Sequence, residues 1–295
     1  MRNVVSGLFI FSSASLWAAI PQAPADASDA IQSALNQHKE LEIPAGTYLI
    51  GKTIRIPSGA RLQGAGKGRT ILKLNSGVND DLIRTENFEA LSGKAEIANA
   101  PADFSITRMT LNGNYLESRW NANSNRINNL KGSCLKVYGK RFEIDIEANN
   151  CAEHAIYSEA QGPRNGEEVA SNIRIFGTTF GKEALVFRGP GDILIEYAVL
   201  GLAGILPKPA QLSSKQRSSL FTDSDTLDGV VIDRTPPYEG TVEIGFMHVY
   251  ANWNGFGFRT KGNPRVQVRH LISESNLGGV AISRGTWGGV GMLDI

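Results

Sequence analysis

Two cations spaced two residues apart, Arg259 and Lys261, stand in the run Phe256-Gly257-Phe258-Arg259-Thr260-Lys261. In a strand of period two, Phe256, Phe258 and Thr260 face one side, and Arg259 and Lys261 leave together on the other. Three earlier runs share this pattern and present Lys136 with Tyr138, Tyr157 with Glu159, and Val186 with Arg188. Stacked, these positions form a column of Tyr, Glu, Arg and Lys. Its cations would hold a carboxylate and its rings would offer a face, so the column reads as a seat for an acidic sugar. A solvated outer strand accounts for Arg259 and Lys261 equally well at this level.

Groups that could move a proton are more scattered. Cleaving a glycosidic bond with water takes two carboxylates, and the candidates are Glu159 with one of Asp225 or Asp228. Asp223, Asp225, Asp228 and Asp233 all lie in a long interruption between Leu206 and Thr241, which also carries Pro236-Pro237-Tyr238. A β-elimination would use the cations instead: Arg259 and Lys261 neutralise a uronate carboxylate, and a base takes the proton at C5. Arg188, Tyr157 and His248 are candidates for that base. His154 and His248 are the remaining acid or base candidates, since an imidazole titrates near neutral pH, and each could equally be a packed, hydrogen-bonded residue. Tyr157, Arg188, Tyr138, Trp253 and Trp120 are candidate sugar-binding residues, Trp120 in an insertion with Asn121, Asn123, Asn125 and Arg126. No carboxylates or histidines recur at metal-ligand spacing, so no cofactor is expected; a calcium ion bridged by several coils stays open.

These residues need a repetitive scaffold, and the chain has one. Short strands of period two, bounded by Gly, Pro, Ser and Asn, recur from residue 41 onward. An alternating strand is followed by a shorter one at 103–114 with 133–139, 141–150 with 155–160, 171–180 with 184–189, 191–200 with 203–206, 241–252 with 255–262, and 265–275 with 279–285. Such a period, roughly 20 to 25 residues, marks a solenoid. Stacking each coil on the last would bury the apolar side, with Phe142, Ile144 and Ile146 beneath Ile173 and Ile175, and these beneath Ile193 and Ile195, about 4.8 Å apart. Residues 26–36 read as a short amphipathic helix, with Ala30, Ile31, Ala34 and Leu35 on one face and Ser28 or Asp29 as cap, suited to covering the first coil. No cap is evident after the last coil, which points to self-association or a truncated coding region.

The order of helix, then Ile43-Pro44-Ala45-Gly46-Thr47-Tyr48, then Leu62-Gln63-Gly64-Ala65-Gly66, then Thr70-Ile71-Leu72-Lys73-Leu74 resembles the pectate-lyase-like β-helix proteins of bacterial and phage polysaccharide enzymes. The resemblance implies an all-β fold, a single-stranded right-handed parallel β-helix with an N-terminal capping helix. It also implies a polysaccharide as partner: a lyase on a uronic-acid polymer, a polygalacturonase-like hydrolase, or a non-catalytic glycan binder in exopolysaccharide assembly or export. Arg259-Thr260-Lys261 is similar to the Arg-x-Lys element with which polygalacturonases hold a substrate carboxylate. That family's Asn-Thr-Asp and Gly-His-Gly motifs are absent, and Asp80-Asp81 comes too early to replace its acidic pair.

The bulk properties agree with an exported protein of this kind. A formal charge of +1 over 295 residues argues against nucleic acid as a partner. Residues 1–25 read as a signal peptide, with Arg2, an apolar run from Val4 to Leu16, and cleavage after Ala18 or after Ala23-Pro24-Ala25. No later segment is apolar enough to span a bilayer, and residues 26–295 form one domain in a secreted or periplasmic protein. Cys134 and Cys151 are either a pair in that oxidising compartment or two small buried side chains.

Overall fold

The computed structural model describes residues 20–115, 131–161, 171–204, 227–251, 255–262, 264–276 and 278–282. The elements run α1 (Ser28–His38), β1 (Glu40–Ile43), β2 (Gly46–Ile50), β3 (Ile54–Ile56), β4 (Arg61–Gly64), β5 (Thr70–Leu74), β6 (Ile83–Thr85), α2 (Phe88–Leu91) and β7 (Ser105–Asn112). They continue with β8 (Leu135–Tyr138), β9 (Glu143–Cys151), β10 (Ile156–Glu159), β11 (Ser171–Phe180), β12 (Leu185–Arg188), β13 (Ile193–Gly201), β14 (Val230–Arg234), β15 (Thr241–Tyr250), β16 (Phe256–Gly262), β17 (Arg265–Val268), β18 (Leu271–Glu274) and β19 (Gly278–Ile282). From β5 to β17 successive strands alternate between an eleven-stranded sheet and an eight-stranded one, the latter ordered β19-β16-β14-β12-β10-β8-β6-β3, while the pairs β1 and β2, β4 and β5, and β17 and β18 each follow one another in the larger sheet. The described chain is therefore nearly all β, with parallel sheets and two short helices, consistent with a parallel β-helix.

The alternation of side chains explains why these segments are strands and why they stack. In β9 the inward Ile144, Ile146 and Ala148 are buried, while Glu143 is exposed. Register carries this pattern from coil to coil. Leu41, Leu62, Ile106, Ile144, Ile173, Ile195, Ile244 and Val268 form one inward column on the larger sheet. Ile54, Ile83, Leu135, Ile156, Leu185, Val230, Phe258 and Val280 form its counterpart on the smaller one. The expected stacking of Ile144, Ile173 and Ile195 is present. A register shift after Ile173 then pairs Ile175 with Ala198, and Ile193 faces Ser171. An extra residue in β13 inside the run Ile195-Glu196-Tyr197 produces that shift, which period-two counting cannot anticipate.

The corners also follow from backbone chemistry. Asn114, Asn150, Thr179, Leu202 and Ala251, each just beyond or near the end of a long strand of the larger sheet, have φ between 54° and 69°. Asparagine tolerates this left-handed conformation well and the others less so. Helix α1 buries Ile31 and Leu35 completely in the main core, in the place expected of a cap on the first coil. Its start is held differently from expectation: neither Ser28 nor Asp29 caps it, and the Asp26 carboxylate accepts the Ser28 N–H at 2.9 Å. Cys134, just before β8, and Cys151, at the end of β9, are joined in a buried disulfide with Cα atoms 5.4 Å apart.

One coil differs from the sequence reading. Ala203 and Gly204 lie in a turn, and the place of the short strand expected there is taken by β14. Val230-Val231-Ile232 is a β-branched run inside the stretch read as an interruption, so a strand signal was present and was outweighed by the surrounding acids and prolines.

The column predicts the cost of a break in it. Replacing Ile173 with Ala should lower stability by about 2 to 5 kcal/mol, because the neighbouring coils hold the cavity open. Replacing its exposed neighbour Arg174, whose ion pair with Glu196 is half in water, should change it by no more than about 1 kcal/mol. Chemical denaturation of the two variants measures both.

Candidate functional site

The outward side chains of the smaller sheet form two adjacent columns. Register aligns Arg84, Lys136, Tyr157, Val186, Val231 and Arg259 in the first. The second holds Tyr138 beside Glu159, then Arg188, Asp233 and Lys261 in register. The structure thus brings Tyr138, Tyr157, Glu159, Arg188, Arg259 and Lys261 to one face, and β14 inserts Val231 and Asp233 among them. His248 sits on β15, in the other sheet, 3.2 Å from the Glu274 carboxylate. Trp120, Asp225 and Trp253 lie outside the described residues.

Along the second column, burial changes abruptly. Tyr138 is 0% and Glu159 1% exposed, whereas the Arg188 side chain is 36% exposed and Lys261 lies open to solvent. Glu159 accepts hydrogen bonds from the Tyr157 hydroxyl at 2.7 Å, the Gly93 N–H at 2.7 Å and the Ser92 hydroxyl at 3.1 Å. Arg188 lies between two rings, 5.8 Å from the Tyr157 centroid and 5.5 Å from that of Tyr238, and its Nε is 3.3 Å from Asp233. Burial and the Glu159 charge push the Tyr157 phenol above its ordinary range, which keeps it protonated. Arg259 packs over Phe256 at 4.6 Å and forms an ion pair with Asp228, which is fully buried and also accepts the Phe256 N–H at 2.8 Å.

A second row of charges runs where the chain enters the short strands. Lys136 is 3.3 Å from Asp81 and 3.2 Å from Glu153, and Lys182 is 2.7 Å from Glu153. Arg84 pairs with the other side of Asp81. Signs alternate along the row, so these largely or partly buried charges compensate one another. Burial pushes the Glu153 carboxyl up, but Lys136, His154 and Lys182 outweigh it and hold the group at about 2. The His154 ring donates from Nδ1 to the Glu183 carbonyl at 2.8 Å, and burial lowers its pKa to about 4. It is therefore neutral at pH 7, with its acceptor lone pair on Nε2. Glu183 is the counter-case: desolvation raises it to about 6, with Asp228 adding to the shift.

Glu183, Glu153 and Tyr238 were not singled out by sequence, and Asp233 appeared there as a loop acid rather than as the partner of Arg188. Glu183 stands two residues before the inward Leu185, immediately outside the strand pattern, so alternation gave no reason to select it. Among the described residues no three His, Cys, Asp or Glu side chains converge to hold a metal ion.

A family model described as rhamnogalacturonase A/epimerase, pectate lyase-like, matches residues 19–195, more than half of the chain. The chain belongs to this pectate lyase-like family. The match takes in His154, Tyr157, Glu159, Glu183 and Arg188 and ends before Asp228, Arg259 and Lys261. Among solved structures, the bacteriophage phi29 gene product 12 is similar at 16% identity and a TM-score of 0.45, over 84% of this chain and 32% of that one. The A-module of the Azotobacter vinelandii mannuronan C-5 epimerase AlgE6 is similar at 14% identity and a TM-score of 0.44, over 86% of this chain and 72% of that one. This chain thus spans about a third of the phage protein. No curated protein matches. No helix among the described residues is long and apolar enough to cross a membrane.

The Glu183 shift carries a pH dependence whose sign is set by linkage. The unfolded chain ionises this carboxyl near 4.5 and the native one near 6, so the native state is penalised as pH rises from 4.5 through 6 and the penalty is complete above that. Glu183→Gln removes the ionisation. Relative to the parent, the variant should gain about 2 kcal/mol of stability between pH 4 and pH 8. Denaturation midpoints at the two pH values test this, and a difference that does not change with pH would contradict it.

Proposed function

We propose that the protein is an exported, single-stranded, right-handed parallel β-helix that binds an acidic, uronic-acid-containing polysaccharide on the outer face of its smaller sheet and cleaves it by β-elimination. The observation that carries this reading is Arg188, a partly exposed guanidinium between the rings of Tyr157 and Tyr238, with Lys261 outward in the same column two strands away. Membership in a pectate lyase-like family supports a carbohydrate ligand. The column supports an acidic one, since guanidinium and ammonium donors form strong charge-assisted hydrogen bonds to carboxylate.

The cation role passes from Arg259 to Arg188 in this reading. Arg259 is 19% exposed and closely paired with the fully buried Asp228, whereas Arg188, although 3.3 Å from Asp233 and 3.9 Å from Glu159, keeps 36% of its side chain exposed. Arg188 and Lys261 bind the uronate and stabilise the charge that develops when C5 loses its proton. His154 is the proton acceptor best supported: it is neutral, its tautomer is set by the Glu183 carbonyl, and its ring lies 5.5 Å from that of Tyr157, the residue that also flanks Arg188. The C5–H bond breaks toward the imidazole, a C4–C5 double bond forms, and the C4–O bond to the departing chain breaks, with water supplying that oxygen's proton.

A second reading has a specific observation in its favour. Glu183, held up to about 6, and Asp228, ion-paired with Arg259, sit on neighbouring coils, and two carboxyls in unlike surroundings are what a hydrolase needs. Incubation with polygalacturonate, alginate and related polymers separates the two. Unsaturated products absorbing in the near ultraviolet mark elimination, new reducing ends without that absorbance mark hydrolysis, and unchanged polymer length with retained binding leaves a non-catalytic binder. In each case Arg188→Ala should weaken binding about 10- to 100-fold, and Arg174→Ala, on the other sheet, should leave it unchanged. Equal binding by parent and Arg188→Ala would contradict the proposed seat.

A further inference from the structure

The segment joining β6 to β7 leaves the coil and folds across the outer face of β8 and β10. Its apolar side chains Phe88, Leu91 and Ala100 pack with Tyr138 and Ala160 into a small cluster separate from the main core. Phe88 meets Tyr157 edge-on, with centroids 6.2 Å apart. The polar anchors lie on the sheet itself. The Tyr138 hydroxyl accepts the Glu96 N–H at 2.8 Å and donates to its carbonyl at 2.5 Å, and Glu159 takes the Gly93 N–H and the Ser92 hydroxyl. At the other end Glu89 is gripped by Arg55, at 3.0 and 2.7 Å, and by Arg84.

We infer that this segment is a fixed wall that closes the sugar-binding row at β10, so that the protein engages its polymer at a chain end rather than along its length. The inference rests on the acidic-polysaccharide reading and adds to it the part of the substrate recognised. Arg188 and Lys261, two strand spacings or about 10 Å apart, lie on the open side of the wall. Glu159 and Tyr138 continue the same column but are sealed beneath it. A polymer lying along the column from Lys261 toward Arg188 meets Tyr157 and Phe88 next and finds the following positions of that column, Glu159 and Tyr138, covered. The wall is part of the fold rather than a lid: its carboxylate and hydroxyl anchors are buried and fully hydrogen-bonded, so lifting it would leave Glu159 and Tyr138 without those partners.

The test uses the intact protein and polygalacturonate cut into fractions of different mean length, each offered at equal mass concentration. End recognition requires affinity per unit mass to rise in proportion to the number of chain ends, so that chains ten times shorter bind about tenfold more tightly on that scale. Affinity per unit mass that does not change with length overturns the wall while leaving the acidic-polymer reading in place. No binding to any fraction overturns both. A Phe88→Ala, Leu91→Ala double variant strips the apolar anchor of the wall while keeping its polar ones, and its length dependence should be weaker than the parent's. If that variant does not fold, the length dependence of the parent still decides.

Discussion

Everything on the outer face depends on parallel, in-register stacking of the inward columns. Leu41 to Val268 on one sheet and Ile54 to Val280 on the other cover each other coil by coil, and no coil has another way to bury its apolar side. A slip of one residue in β14, for example, would turn Ile232 outward and Asp233 into the core, so register is strongly specified wherever the interior is packed. The outward positions inherit that register without any attraction of their own. Arg188, Asp233 and Lys261 are aligned because Leu185, Val230 and Phe258 are.

Alignment at a strand spacing of about 4.8 Å brings charges close enough that most must be compensated. The face does this by alternating sign across coils, Arg84 with Asp81, Asp81 with Lys136, Lys136 with Glu153, Glu153 with Lys182, and separately Arg259 with Asp228. Glu183 is the exception. The nearby imidazole is neutral, desolvation dominates, and its carboxyl rises. Most of these groups are thereby held within the face, while Arg188, paired on one side with Asp233 and Glu159, stays 36% exposed, and Lys261 lies open to solvent.

Sequence made the coil and the two outward columns legible, because alternation and recurrence are local properties: Lys136 with Tyr157, and Glu159 with Arg188, follow from counting. Three kinds of information were not local. The extra residue in β13 moves partners without altering composition. The β14 strand follows a long insertion, and its Val230-Val231-Ile232 core was too short to stand out beside Asp223, Asp225, Asp228 and the prolines. The fate of each charge was the third. Nothing in the sequence around Arg259 announces that its guanidinium is already engaged, since Asp228 lies a full coil away.

Glu159 shows how coverage from a distant segment decides chemistry. By alternation it is equivalent to Arg188, outward on the next strand and beside the same tyrosine. It is nevertheless almost fully buried, with three hydrogen-bond donors, two of them contributed by Ser92 and Gly93 from another coil. A carboxylate so surrounded anchors a segment instead of meeting a ligand. A stacked coil admits such segments between its strands at little cost to the core, because each excursion begins and ends at a corner. The coil therefore supplies a uniform row of outward positions, and the excursions determine which of them a polymer can reach.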